Sequence, residues 1–318
     1  MANVITISDG QTHVVSTAVA ANYVVTNGTL QVAAGGVITG DTTTFGVSAT
    51  VQVQRGGVLN VTGGTITSQP ATSMFLGPVS VSGGTATISS GAVTGNGGTA
   101  AIVMNGAQSS LMVSGGTITA PQGGVAGGSG ILLIGQDGSN DLTVTGGTIA
   151  GGYGSTGGGA GVTMVQSTSN GSNRATIRGG TISGGSGGVA AGAGIVVDDE
   201  GTLTVSGGTI GTAAGGAMIL NQQKSGVLFA VSITGGTIVG GTSFTPAMNM
   251  SVPENVVGMT VSGGTFSGSW TLNSGIAVVQ GTHLAVTDNV LTGTLAGGQA
   301  IDVPVLVQRT AQISLQTG

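Results

Sequence analysis

A phrase of the form aliphatic-x-Gly-Gly-Thr-apolar recurs eight times, and no other feature restricts the fold of this chain as much. The copies begin at Val61, Val81, Val113, Val144, Ile177, Val205, Ile233 and Val261, with first glycines at 63, 83, 115, 146, 179, 207, 235 and 263. The steps between them are 20, 32, 31, 33, 28, 28 and 28 residues. Self-similarity at a period of roughly 20–50 residues signals stacked units that each contact only their neighbours.

Within a unit the apolar runs are short and broken by glycine. Leu203-Thr-Val205 and Leu142-Thr-Val144 alternate, as a strand with one buried face does. A second strand starts at the Thr-Ile step, and a third follows further on, as in Ile131–Ile134, Val162–Val165, Ile195–Val197 and Ile276–Val279. The glycine pair lets the chain turn a corner between strands. Helical solenoids are excluded: glycine is 66 of 318 residues, and each one inside a helix costs about 1 kcal/mol relative to alanine. The expected fold is all-β: a right-handed parallel β-helix (β-solenoid) with three strands per coil and roughly eleven coils. The hand follows from the preference of parallel crossovers, the coil number from length over period.

Three regions are expected along the chain. Residues 1–54 form degenerate N-terminal coils, with phrases such as Asn27-Gly-Thr-Leu-Gln-Val32 but no Gly-Gly-Thr corner. Residues 55–280 form the regular body. Residues 281–318 form a C-terminal coil or cap, where the pattern changes and Pro304 suits an edge position. Glycine-rich stretches at 151–161 and 184–194 read as longer loops that leave the stack intact.

Composition limits the chemistry. Charged residues are 5% of the chain and net charge is −5. The only cations are Arg55, Arg174, Arg178, Lys224 and Arg309, too few and too scattered to neutralise phosphates, so nucleic acid is not an expected partner. Mean hydropathy is +0.45, but Gly, Ser and Thr interrupt every apolar run before the roughly 20 residues a membrane helix requires. With no cysteine, stability rests on stacking rather than on disulfides or thiolate metal sites. The first ten residues lack the basic and apolar regions of a secretory signal.

Candidate sites were weighed against structural roles. The acidic cluster Asp198-Asp199-Glu200 is the densest charge in the chain. Aligning third strands by their leading small residue puts Asn105, Ile134, Val165, Asp198 and Asn221 at one level, which reads as a turn. Asp and Asn bond nearby backbone and tolerate left-handed φ there. Counting back from the next Gly-Gly corner instead stacks Asp137, Asn170 and Asp198, a set short of the six or more oxygens calcium takes. His13 and His283 lie at opposite ends of the chain, and Met104, Met164 and Met218 suit core gaps. Trp270, near Phe266, reads as packing over the last coils. Thr65, Thr85, Thr117, Thr148, Thr181, Thr209, Thr237 and Thr265 are expected to form one column. The Thr-x-Thr pair that a flat ice-binding face would use survives only in the first three copies. No catalytic, cofactor or metal-binding residue is assigned.

The Gly-Gly-Thr corners, the Asn-Gly-Thr-Leu-Gln-Val phrase and the cysteine-free Thr/Gly/Val composition resemble the passenger domains of bacterial autotransporter adhesins, particularly the self-associating type built from short imperfect repeats. The resemblance covers about 270 residues. It implies a secreted or cell-surface, rod-shaped, non-enzymatic protein that adheres to surface glycans or neighbouring cells, or self-associates. No closing segment has the long alternating strands of an outer-membrane barrel. Head-to-tail self-association is expected, since the ends of an open solenoid expose strand edges and carry little charge here. The alternatives are a carbohydrate-active β-helix enzyme, lyase or hydrolase, and an ice-binding or phage-fibre module.

Overall fold

The computed structural model describes residues 3–40, 49–69, 77–96, 99–106, 108–136, 138–166, 171–198, 201–222, 229–246, 257–273, 276–308 and 311–317. Among these residues there is no helix, and most strands lie in parallel ladders, bonded to strands of the repeats before and after. This stacking of parallel strands is that of a β-solenoid.

The first ladder starts at Val4–Ile7 and passes through strands such as Ala100–Asn105, Val162–Gln166 and Met218–Gln222 to Trp270–Leu272 and Val305–Val307. Its inward column runs Ile5, Tyr23, Val51, Val79, Ile102, Ile131, Val162, Ile195, Met218, Thr242, Trp270, Val305. Only Thr242 interrupts the apolar series, and its hydroxyl is buried with no hydrogen-bond partner among the described residues. The second ladder starts at Thr12–Val15 and ends at Gln312–Thr317, carrying Leu30, Leu59, Leu111, Leu142 and Leu203 inward. The third begins at Ala18–Ala20 and packs Ile38, Ile66, Val93, Ile118, Ile149, Ile182, Ile210 and Ile238. Period-2 alternation thus delivers one continuous core, because register places like residues at like heights.

The Gly-Gly corner joins the second ladder to the third inside single strands such as Gly201–Gly211 and Phe229–Val239, with a register shift at the bend. The two glycines do different work. A Cβ on Gly207 would collide with the Arg178 carbonyl one coil below, whereas Gly208 has φ +81. The first is required for close approach of backbones, the second for left-handed geometry.

The second copy of the phrase behaves differently from the other seven. Gly83-Gly84 joins the first ladder to the second, and Thr85 pairs with Val58 and Ser110. The position after the bend is Ala92, bonded in register with Thr65 and Thr117. From Thr65 to Ala92 to Thr117 the steps are 27 and 25 residues, which explains the uneven 20 and 32 of the sequence phrase.

Near the C-terminus the parallel order is interrupted. Ile276–Thr287, Val290–Leu295 and Ala300–Val307 form an antiparallel meander. Its two-residue turn, Asp288-Asn289, has φ of 50 and 61, the left-handed pair that a type I′ hairpin needs. A bulge follows, with His283 (φ 54) and Leu284 between the pairs Thr282–Thr294 and Ala285–Thr292.

Candidate functional site

Three features combine exposure or buried polarity with a defined place in the stack. The first is the level of Asp198. Asn105, Ile134, Val165, Asp198 and Asn221 are hydrogen-bonded neighbours in register along the first ladder, followed by Thr245. Asp199, Glu200, Asp137 and Asn170 lie outside the described residues. Among the described residues no three His, Cys, Asp or Glu side chains gather as a metal site would require. His13 stands on the first rung of the second ladder and His283 in the C-terminal meander, so the two imidazoles are not brought together.

Just past this level, at the corner into the second ladder, is a buried polar row that the sequence reading missed. Ser109, Asn140 and Asn173 pair in register. Ser109 Oγ donates to the Val81 carbonyl at 3.1 Å and accepts the Gly83 N–H at 2.9 Å. Asn140 Nδ2 donates to the Ile134 carbonyl at 2.8 Å and to Asn173 Oδ1 at 2.9 Å. Asn173 Nδ2 donates to the Val165 carbonyl at 2.8 Å. These side chains satisfy carbonyls where first-ladder strands end, the accounting every buried backbone group demands. The available signal was a Ser or Asn two residues before each inward Leu111, Leu142 and Ala175.

The second feature is the hydroxyl surface beside the corner. Thr117, Thr148, Thr181, Thr209, Thr237 and Thr265 form an unbroken outward column, but Ala92 stands where Thr85 was expected. Before the corner, a second array runs through Thr143-Val-Thr145, Thr204-Val-Ser206, Ser232-Ile-Thr234 and Thr260-Val-Ser262. The first members stay in register from Thr143 through Thr176 to Thr260. Arg178 breaks the array at Thr176-Ile-Arg178.

The third feature is the pair of ends. Among the described residues, Val4–Ile7, Thr12–Val15 and Ala18–Ala20 are bonded on one side only, as is Gln312–Thr317. In the inward column of the second ladder the first residue is His13, beneath Leu30. Its ring Nε2 lies 2.8 Å from Asp9 Oδ2. The Gln11 backbone N–H at 2.9 Å, and then the His13 ring, hold the Asp9 carboxyl below its usual value. Apolar side chains project near both ends: Val14 is 57% exposed and Leu306 48%.

Comparison with known proteins finds no matching family, no matching curated protein and no matching solved structure. Functional inference therefore rests on the geometry of this chain. No helix among the described residues is long and apolar enough to cross a membrane.

Proposed function

We propose that this protein is a non-enzymatic bacterial cell-surface or extracellular structural protein, of the adhesin or fibre-subunit kind, that stacks end to end. The rod is read as a right-handed solenoid with three strands per coil and roughly eleven coils, about 50 Å long at ~4.8 Å per coil. The observation that carries the proposal is the phase of the core columns at the two ends. Val305 and Val307 close the columns that open with Ile5 and Ile7, and Ile313 and Leu315 close those that open with His13 and Val15. A second copy placed on the last rung meets the same inward spacing and the same strand direction in the first and second ladders, while among the described residues the third ladder ends at 265–267 and the Val305 N–H is bonded to the Asn289 carbonyl at 2.7 Å. Such a contact is heterologous and does not close, so it propagates as a filament.

His13 weighs against indefinite growth. An inward polar residue on a terminal strand is a known device for blunting edges, and stacking covers the Asp9–His13 pair. Growth is therefore expected to be weak and concentration-dependent. Negative-stain imaging with light scattering across protein and salt concentration tests this. Rods of several unit lengths support the proposal, and a single-length monomeric rod at every concentration refutes it.

The array Thr143/Thr145 to Thr260/Ser262 favours one second reading, an ice-contacting face. Its first members repeat about 4.8 Å along the stack, a regular row for bound water, while the second members sit at the register shift beside the corner and include Arg178. Thermal hysteresis in a cooled solution tests it, and none at millimolar protein removes it.

A further inference from the structure

Three glycine-rich connections, spanning 120–128, 151–160 and 184–193, lead from the third ladder back to the first and lie directly on one another. Backbone hydrogen bonds zigzag through them. Gly128 N–H donates to Pro121 C=O (3.3 Å), Gly152 to Gly128 (2.8 Å), Gly159 to Gly152 (2.9 Å), Gly185 to Gly159 (2.7 Å) and Gly192 to Gly185 (2.8 Å). A Cβ at Gly151, Gly158, Gly159 or Gly184 would fall onto a neighbouring carbonyl. The layer is thus packed backbone against backbone, and its tips stand on a stiff base.

At those tips the order is unusual for a surface. Thr156 N–H donates to Val125 C=O at 2.9 Å, and Val189 N–H donates to Thr156 C=O at 3.0 Å, so the three residues form one row. Val125 is 73% exposed, Val189 82%, and Tyr153, on the middle loop, 44%. The two outer tips share the tetrapeptide Gly-Gly-Val-Ala, at 123–126 and 187–190, and the middle tip reads Gly154-Ser-Thr-Gly157. None of the three connections contains a charged residue. Among the described residues, Val125 and Val189 are the two most exposed of the large apolar side chains, and with Tyr153 they offer a small apolar area, free of charge, on a rigid support.

We propose that these tips form a lateral contact with a second copy of this chain, with Thr156 facing Thr156 across a two-fold axis. The row reads Val-Thr-Val in either direction, so valine meets valine whether the two rods run parallel or antiparallel. This self-matching is what an isologous interface requires. Net charge is −5, yet the uncharged tips bring two copies together without opposing like charges. Tyr153, exposed on the middle loop, adds an amphipathic ring of the kind enriched in contacts. A patch of three tips is smaller than the roughly 1,200 Å² of a standard stable interface. The contact is therefore a weak encounter, strengthened where several copies are joined. It does not depend on end-to-end stacking, since each molecule carries the whole row.

Because the chain has no cysteine, single cysteines report the contact directly. Thr156→Cys under mild oxidation is expected to give a disulfide-linked dimer at least ten times faster than Ser114→Cys, an exposed position on the second ladder. Adding Val125→Asp and Val189→Asp to Thr156→Cys should remove that advantage. Equal rates for Thr156→Cys and Ser114→Cys, or rates unchanged by the two aspartates, would overturn the proposal. So would a Thr156→Cys protein that stays monomeric while the two aspartates abolish retention on an immobilised neutral polysaccharide. That outcome assigns the tips to a glycan. Imaging of filaments is a separate readout, so loss of end-to-end growth leaves this test untouched.

Discussion

Replacing Gly152 by alanine should destabilise the protein far more than the same replacement at Gly157, although the two sit in one loop. A Cβ on Gly152 would lie far inside 3.0 Å of the Pro121 carbonyl oxygen, while at Gly157 nothing lies within 4 Å. Relieving the clash moves the loop about 1 Å from the coil below, stretching hydrogen bonds past their working range of about 2.7–3.2 Å. Two bonds run through Gly152: its N–H to Gly128 at 2.8 Å, and Gly159 N–H to its carbonyl at 2.9 Å. At about 1 kcal/mol net for each bond, and up to 3 for a buried group left unmade, the loss is about 2–4 kcal/mol. Stiffening of the unfolded chain returns about 0.4–1 kcal/mol, and that gain is common to both variants. Gly157→Ala should therefore be neutral or slightly stabilising, and Gly152→Ala lower by about 2–4 kcal/mol. Chemical denaturation of both proteins beside the parent measures the difference, provided the slopes agree. Stabilities within ~0.5 kcal/mol of each other would refute the backbone-packed layer and the rigid base it gives the tips.

Other perturbations have equally definite outcomes. Val205→Asp buries an unpaired charge in the core, so it should cost about 4 kcal/mol or prevent folding, whereas Thr209→Ser on the outward column should stay within ~0.5 kcal/mol; thermal melts of the pair decide whether the faces are assigned correctly. Asn140→Ala strips the Ile134 carbonyl of its donor and should cost about 2 kcal/mol by denaturant titration, while Ser110→Ala one rung away should cost little. Burial raises the Tyr23 phenol above its ordinary 10.0. The stability it contributes is complete below pH 10 and disappears as pH climbs through the higher folded value, so Tyr23→Phe should flatten the alkaline end of the stability curve. Changing Asp198→Asn, Asp199→Asn and Glu200→Gln together should leave assembly intact, and loss of a polysaccharide-cleaving activity in that variant would establish an enzyme.

Much of the architecture was legible because backbone periodicity and side-chain polarity carry the same message. Val205 and Ile210 alternate with Thr204 and Thr209, and a parallel ladder copies that alternation upward. Even the level shared by Asn105, Ile134, Val165, Asp198 and Asn221 follows from counting small residues. What stayed hidden is tertiary. Thr85 belongs to a familiar phrase, yet core packing of Ala86 and Ile88 draws it into the second ladder and moves the bend to Gly91. Asn140 and Asn173 are isolated amides along the chain, and only register stacks them into a row. The hairpin at Asp288-Asn289 uses left-handed φ without glycine, so no glycine marks it. The tips at Val125 and Val189 sit in stretches whose glycine suggests slack, and the rigidity appears only when three such stretches lie on one another.

The distribution of charge and apolar surface explains why association should concentrate at the ends and the glycine tips. The long faces present hydroxyls that water already satisfies, and covering them exchanges one set of hydrogen bonds for another at little gain. Scattered pairs such as Asp141–Arg174, 3.7 Å apart and more than half exposed, add almost nothing once screened by salt. Unpaired strand edges and exposed valines are different, because burying them removes apolar area and open backbone groups from water together. The proposed contacts therefore fall at the termini and at the one lateral patch formed by the glycine-rich tips. Contacts of those two kinds are geometrically independent: the first extends a filament, the second joins rods. A protein making both proposed contacts is expected to form networks whose thickness responds to Val125 and Val189 and whose length does not.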